Sequence, residues 1–443
     1  MDRKKINLLK AIFEISLIIA VVIGLSRVLM LKSEDGYDQL QSFYKQPKNS
    51  IDTIFLGSSK MYCQVDTGIL WDEYGIAAYD LGGAEATSWN GYYFLKEALK
   101  TQRPEVIFFD AGIIGNMPEV EYQRDKWAMT NNYGMKWNSN RIAQLRENTE
   151  DYETFRRLVF PLDTMHSRYS ELTKTDFVDV NNDITYKGFD YRDAITPLEK
   201  PNLSGIIAET PISARQEEFL VKMMEYSKEM NVPFVVIIAP YAVTEEEQKI
   251  FNYIGKICQE NDTPFVNFNN MYDELGLDFG CDFAEELHLN FSGSKKFTSY
   301  LGRYVKDNYQ VVDHRGDKQY ASWEQDALIS RQNRIAYELN NESDLEKIAE
   351  MLDNPYYIVF DVDDMAELRV YDNCEKVLYG GGMEPYKSII YDGNARIIVK
   401  RDGETSYINI NRETYKVGWP WTRKIVYDKV LDKVVMNRSF YEE

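Results

Sequence analysis

Ile54-Phe55-Leu56-Gly57-Ser58-Ser59-Lys60 is the stretch from which the chain is read. Three apolar residues make a short buried strand, and a Gly-Ser-Ser turn ends it abruptly. A serine at that point stands at the carboxyl end of a sheet strand, where open α/β sheets place their ligand crevice.

Downstream the pattern repeats. Thr67–Tyr74 reads as a helix and Ala77–Leu81 as a second strand, which runs into Asp80-Leu81-Gly82-Gly83. Thr87–Lys100 has helical periodicity, with Thr87 and Ser88 as start signals. After Pro104, Val106-Ile107-Phe108-Phe109-Asp110 is a near-continuous apolar run of the kind found in buried parallel strands. The order β-α-β-α-β predicts a parallel sheet with right-handed crossovers.

From about residue 115 to 210 the periodicity degrades, which predicts an inserted, partly helical cap carrying Trp127, Trp137, Arg141, Arg156, Arg157, His166 and Arg168. The alternation then resumes. Ser213–Met230 is a predicted helix, Pro233–Ala239 a fourth strand, Thr244–Asn261 a helix with three glutamates in its first turn, and Phe265–Phe268 a fifth strand. A closing helix is expected from Ser292, as its cap, to Tyr309. One α/β domain therefore spans 49–309. Residues 310–354 read as a charged helical linker, in which His314 is expected to be exposed and Trp323 able to dock. In 355–443, short strand patterns separated by Gly380-Gly381-Gly382, Asp392-Gly393 and Asp402-Gly403 predict a small β-sandwich. Among those strands is Glu367–Tyr371, and Trp419 and Trp421 are candidate binding aromatics there.

Ahead of the domain, residues 1–48 read as a cytoplasmic stub, a transmembrane anchor and a linker. Arg3, Lys4 and Lys5 precede an apolar run, and Ile15–Ser26 carries no charge. A span needs roughly 20 residues, and Leu8–Leu31 supplies them if Lys10 and Arg27 snorkel to the interfaces. No A-x-A-type cleavage site follows, which favours an uncleaved anchor over a signal peptide or surface helix. Basic residues before the run and Glu34, Asp35 and Asp38 after it predict a cytoplasmic amino terminus, with the bulk of the chain outside a single-pass membrane helix.

Composition narrows the function. The 443 residues include 71 acidic and 51 basic ones, a net charge of −20, which argues against nucleic acid as a partner. Cys63, Cys258, Cys281 and Cys374 have no metal-type spacing; one or two disulfides are open in an oxidising compartment, free buried thiols are the expected state, and no metal or other cofactor is expected. Only His166, His288 and His314 are available for histidine chemistry. Of these, His288 sits in Glu285-Glu286-Leu287-His288-Leu289-Asn290, just before the closing helix. A carboxylate three residues ahead can orient the imidazole. If His288 faces Ser59, the chain has a nucleophile, a base and an orienting acid.

On Gly57-Ser58-Ser59 after the first strand, the glycine-bearing turn after the second, and Glu285-x-x-His288-Leu289-Asn290, residues 50–305 resemble the SGNH (GDSL-like) hydrolase and acyltransferase superfamily. They look most like membrane-anchored bacterial cell-envelope members. The resemblance implies a three-layer α/β fold and Ser59 as nucleophile, His288 as base and Glu285 in the place usually held by aspartate. It also implies an oxyanion hole from the N–H groups of Ser59 and of Gly82 or Gly83. The family's further asparagine donor has its nearest counterpart in Asn116. The segment His166–Leu172 is similar to a pattern in envelope members, which makes His166 and Arg168 candidates to face substrate. Three positions depart from the family: Asp80, Glu85 and Asp110 put carboxylates where oxyanion-supporting groups are usual, and these are expected to oppose negative charge there. The implied activity is acyl-serine transfer or hydrolysis of O-acyl groups on a cell-surface glycopolymer, with a membrane-bound acyl-donor protein as partner. The alternative is an inactive polysaccharide-binding or assembly protein.

Overall fold

The computed structural model describes residues 3–30, 32, 35–177 and 186–341, together with seven strands between 359 and 436. Contacts divide the chain into two units, Met1–Glu324 and Gln325–Glu443.

The first unit is built on five parallel strands: β1 (Thr53–Gly57), β2 (Ala78–Gly82), β3 (Val106–Asp110), β4 (Phe234–Ile238) and β5 (Phe265–Asn267). Their order across the sheet is β2-β1-β3-β4-β5. β1 to β4 are buried at every position, which is why β1, β3 and β4 read as near-continuous apolar runs rather than as alternation, while Asp80 interrupts β2. Helices cover both faces. Phe55, Phe108, Val235 and Ile237 share one core with Phe297 and Leu301 of the closing helix, Phe291–Asn308. The Ser88–Ala98 helix lies so close to the other face that a Cβ on Gly91 would come within 2.7 Å of the Phe109 ring. The closing helix starts two residues earlier than its sequence pattern suggested. Asn290, not Ser292, is its cap, because the Asn290 carboxamide accepts from the N–H groups of Ser292 and Gly293.

β2 is an edge strand, and residues 314–324 cover it. Trp323 donates its indole N–H to the Ala78 carbonyl at 3.1 Å, and the Trp71 indole donates to Glu324 at 2.8 Å. His314 bonds Asp52 at 3.1 Å and stacks on Tyr320, so it is a docking residue and not the exposed side chain expected. The start of the expected linker thus belongs to the first unit. Covering the edge shields its unpaired backbone groups from further strand pairing.

Between β3 and the Ala214–Glu229 helix lies the cap, mostly short helices that include Asp125–Thr130, Ser139–Asn148 and Tyr152–Val159. Helix Arg3–Leu29 is long and apolar enough, by length and composition, to cross a membrane. In the second unit the described strands form a four-stranded antiparallel sheet (residues 376–409) and a three-stranded sheet that pairs Lys424–Asp428 with Lys433–Met436 and Val359–Asp361. The expected strand Glu367–Tyr371, Trp419 and Trp421 lie outside the described residues.

Candidate active site

In the order β2-β1-β3-β4-β5 the chain leaves β1 and β3 toward opposite edges, and a crevice opens at their carboxyl ends. Ser59 stands there. Gly57 ends β1, Ser58 caps a four-residue helical turn, and Ser59 is the first residue of that turn, half-buried. A first-turn N–H has no intrahelical acceptor, so the Ser59 N–H is free to face the crevice.

The other two members come from a β-hairpin. β6 (Phe283–Glu285) and β7 (His288–Leu289) pair antiparallel, with Glu285 directly opposite His288 across a two-residue turn. That pairing is the physical reason for their spacing. The hairpin is held from three sides. Gln64 donates to the Leu287 carbonyl at 3.2 Å, the Ala242 N–H to the Glu286 carbonyl at 3.0 Å, and the Thr196 N–H to the Phe283 carbonyl at 2.8 Å.

The Ser59 Oγ lies 2.8 Å from His288 Nε2, and His288 Nδ1 bonds Glu285 Oε1 closely. A carboxylate only accepts, so the imidazole proton is assigned to Nδ1. Nε2 is then left to accept from the serine hydroxyl. Burial pushes the Glu285 carboxyl up, but hydrogen bonds from His288 and from the Leu287 N–H outweigh it and hold its pKa below the ordinary value. Glu285 is therefore a carboxylate at neutral pH. Together these are a nucleophile, a base in the accepting tautomer, and an anion that stabilises the imidazolium.

The triad opens on a cavity of about 360 Å³, with Tyr62, Ile113, Met117, Trp127 and Leu287 as its apolar wall. Trp127 comes from the cap. Asn116 lines the same cavity. Its carboxamide is fixed from both ends: Lys60 Nζ donates to Oδ1, while Nδ2 donates to Glu247 Oε1. Lysine can only donate, and Glu247 accepts on both oxygens, from Tyr241 and from Thr244. These partners set which end of the amide is which. Nδ2 keeps a second hydrogen, and the side chain is exposed to the cavity. Lys60 is 2% exposed, donates also to the Gly112 carbonyl at 3.2 Å, and sits 3.9 Å from the Tyr241 ring centroid. Burial lowers its pKa to about 8 against the opposing pull of Asp110, Glu247 and Glu285.

Two sequence expectations for the oxyanion hole need correction. Gly82 and Gly83 do not line the cavity, and the Gly83 N–H is already bonded to the Gly57 carbonyl at 3.3 Å. They lack side chains for packing reasons. A Cβ on Gly82 would lie 2.7 Å from the Gly57 carbonyl oxygen, and one on Gly83 2.0 Å from Asn131 Oδ1. Nor do Asp80 and Asp110 place charge in the cavity, since both are fully buried and neither lines it. Burial, reinforced by the charge of Asp66, raises the Asp80 pKa well above normal. Burial also raises that of Asp110, against hydrogen bonds from the Ala239 and Gly112 N–H groups and the charge of Lys60. Of the three carboxylates, only Glu85 reaches the cavity.

His166 and Arg168 do not line it either. Arg168 donates instead to the carbonyls of Leu29 and Met30 and pairs with Asp176. Cys63 and Cys258 are free and buried as expected, but Cys281 is exposed. Burial raises the Cys63 pKa well above that of a free thiol, which leaves it unreactive beside the triad. Among the described residues, no group of three or more His, Cys, Asp or Glu side chains is placed to hold a metal ion. Sequence reading passed over Lys60, Glu247 and Arg192, all at or behind the cavity. Lys60 adjoins the nucleophile in sequence, but nothing in its neighbours announces that it is buried.

The five parallel strands, the serine after β1 and the Glu/His hairpin ahead of the closing helix make an α/β arrangement of the kind the sequence resemblance implies. No family model and no curated protein matches the chain. Among solved structures, a protein assigned as an acylhydrolase from Bacteroides fragilis is similar at 11% identity, covering 60% of this chain and 93% of its own, with a TM-score of 0.30. Another, assigned as a GDSL-like lipase from Parabacteroides merdae, is 12% identical over 59% of this chain and 98% of its own, with a TM-score of 0.28. Neither likeness bears on what this chain acts on.

Proposed function

We propose that the chain is an SGNH-type serine esterase or O-acyltransferase, acting through an acyl-serine on O-acyl groups of a cell-surface glycopolymer. The observation that carries this reading is the bonded relay Ser59–His288–Glu285 at the mouth of a cavity with one apolar wall. Ser59 Oγ attacks the ester carbonyl as its proton passes to His288 Nε2. The Ser59 N–H and the free Asn116 Nδ2 hydrogen stabilise the oxyanion. Collapse breaks the ester C–O bond, and His288 returns its proton to the departing alkoxide. Water (esterase) or a sugar hydroxyl (transferase), deprotonated by His288, then releases the acyl group and regenerates Ser59.

The extracytoplasmic placement rests on the charge asymmetry around the Arg3–Leu29 helix. An anchor beside the export machinery supports the transferase form, with the acyl group delivered by a membrane-bound donor protein. The committed Gly83 N–H supports a second reading, a non-catalytic assembly module.

Labelling by a serine-directed phosphonate tests the choice. Wild type should label and hydrolyse a generic acetyl ester, and Ser59→Ala should do neither. An inert wild type would sink the enzyme reading.

A further inference from the structure

The Arg3–Leu29 helix has two surfaces of different character. Leu9, Phe13, Ile18, Ile23 and Leu25 project from it exposed, whereas Leu29 and Met30 at its carboxyl-terminal end are buried. That end is gripped by the cap. Segments Pro161–Met165, His166–Ser170 and Lys174–Phe177 lie against it. Arg168 donates to the carbonyls of Leu29 at 2.9 Å and Met30 at 3.0 Å, and closes a 2.7 Å ion pair with buried Asp176. Lys32 donates to the Asp176 carbonyl at 2.8 Å, and Met30 joins the cap core of Met129, Tyr133, Leu145 and Leu158.

The same cap segment carries three large rings turned out to solvent: Phe160 at 55% exposure, Tyr169 at 74% and Phe177 at 65%. A helix rises about 1.5 Å per residue, so whatever packs on its last turn lies within a turn or two of where its apolar surface ends. That is headgroup depth, where aromatic rings concentrate in membrane proteins.

The site is tied to the same place. Asp35 lines the Ser59 cavity and is fixed there, its carbonyl accepting from the Ala84 N–H at 2.7 Å and its carboxylate from the Tyr62 hydroxyl at 3.2 Å. From Met30 to Asp35 the chain can reach at most about 18 Å.

We propose that the cap rests on the lipid bilayer through Phe160, Tyr169 and Phe177, which holds the Ser59 cavity at the membrane surface. The acyl groups that reach it are then those carried close to the bilayer, on lipid-linked or membrane-proximal chains. This rests on the Arg3–Leu29 helix being a membrane span and is independent of whether Ser59 reacts.

The test uses the full chain in phosphatidylcholine/phosphatidylglycerol vesicles, with Cys281 and Cys374 replaced by serine. A bimane label is placed singly at Phe160→Cys, Tyr169→Cys, Phe177→Cys, Ile18→Cys in the span, or Ile207→Cys, whose native side chain is 89% exposed and far along the sequence. Lipids bearing a shallow nitroxide should quench the three cap labels several-fold more than the Ile207→Cys label, and aqueous iodide should show the reverse order. Cap labels quenched no more than Ile207→Cys, while the Ile18→Cys label is quenched by deep nitroxides, would overturn the seating alone. An unquenched Ile18→Cys label would overturn the span and the seating with it. Cap labels shielded from lipid and from iodide alike would mean that a protein covers the rings, which also overturns the proposal. Phosphonate labelling of Ser59 in the same samples reads the enzyme proposal separately.

Discussion

Ser59 Oγ and His288 Nε2 lie 2.8 Å apart across 229 residues of sequence. The first stands on the turn after β1, the second on the hairpin before the closing helix, and the sheet brings the two together. Replacing either member of such a pair removes the activated nucleophile. Ser59→Ala and His288→Ala should each lower kcat on an acetyl ester by roughly 10⁴-fold or more. KM should change little, and both proteins should keep the wild-type melting temperature.

Glu285 does a different job, orienting the imidazole and balancing its charge. Glu285→Gln should lower kcat by roughly 10²–10⁴-fold, because an amide can present its N–H and favour the wrong tautomer. Glu285→Asp shortens the arm by one methylene on an exposed hairpin and should retain more activity than the glutamine variant. Steady-state kinetics on the pair checks the order. Equal activities would mean that Glu285 does not orient His288.

Asn116 held between Lys60 and Glu247 predicts a second kinetic signature. Asn116→Ala should cost about 10²–10³-fold in kcat with KM nearly unchanged, the loss expected of one oxyanion donor. Lys60→Met should approach the same loss, while Lys60→Arg, if accommodated, should recover part of it. Since the Lys60 pKa is lowered to about 8, its ammonium is lost as pH rises through that value. Wild-type kcat should therefore fall above about pH 8, and the Lys60→Arg profile should lack that alkaline limb. A wild-type profile flat from pH 7 to about 10 would show that Lys60 does not control the site.

Asp80 offers a stability test away from chemistry. Burial, then the charge of Asp66, raises its folded-state pKa well above the unfolded value. A carboxyl raised in this way contributes stability below its unfolded pKa and loses it as pH rises toward the folded one. Asp80→Asn cannot ionise. Its melting temperature should exceed that of wild type at pH 8, and the difference should shrink toward pH 4. Parallel thermal melts across that range would refute the assignment.

How much of this was legible in the sequence follows from which forces are local. β1, β3 and β4 are buried on both faces, so their apolar runs announce them without alternation. Ser59 and His288 were legible because a Gly-Ser-Ser turn after the first strand is matched by Glu285-x-x-His288 ahead of the closing helix of the same domain. The fate of Gly83 was not, since its N–H is spent on a strand neighbour whose register only the folded sheet fixes. Neither was the raised pKa of Asp80, which depends on burial by distant segments. Arg168 misled for a similar reason. An arginine in a cap reads as a substrate contact, and only tertiary packing reveals that its fork closes the end of the first helix.

The five-residue step from Met30 to Asp35 has a consequence for how such a protein meets its substrate. If the Arg3–Leu29 helix spans a bilayer, a site on so short a leash cannot range outward from that membrane and moves only sideways. Search becomes diffusion in a plane, and its rate depends on the lateral density of acyl groups instead of their bulk concentration. Were the proposed glycopolymer its substrate, a long polymer would be edited from its root, one passing strand at a time, while its outer reaches stay as they were made.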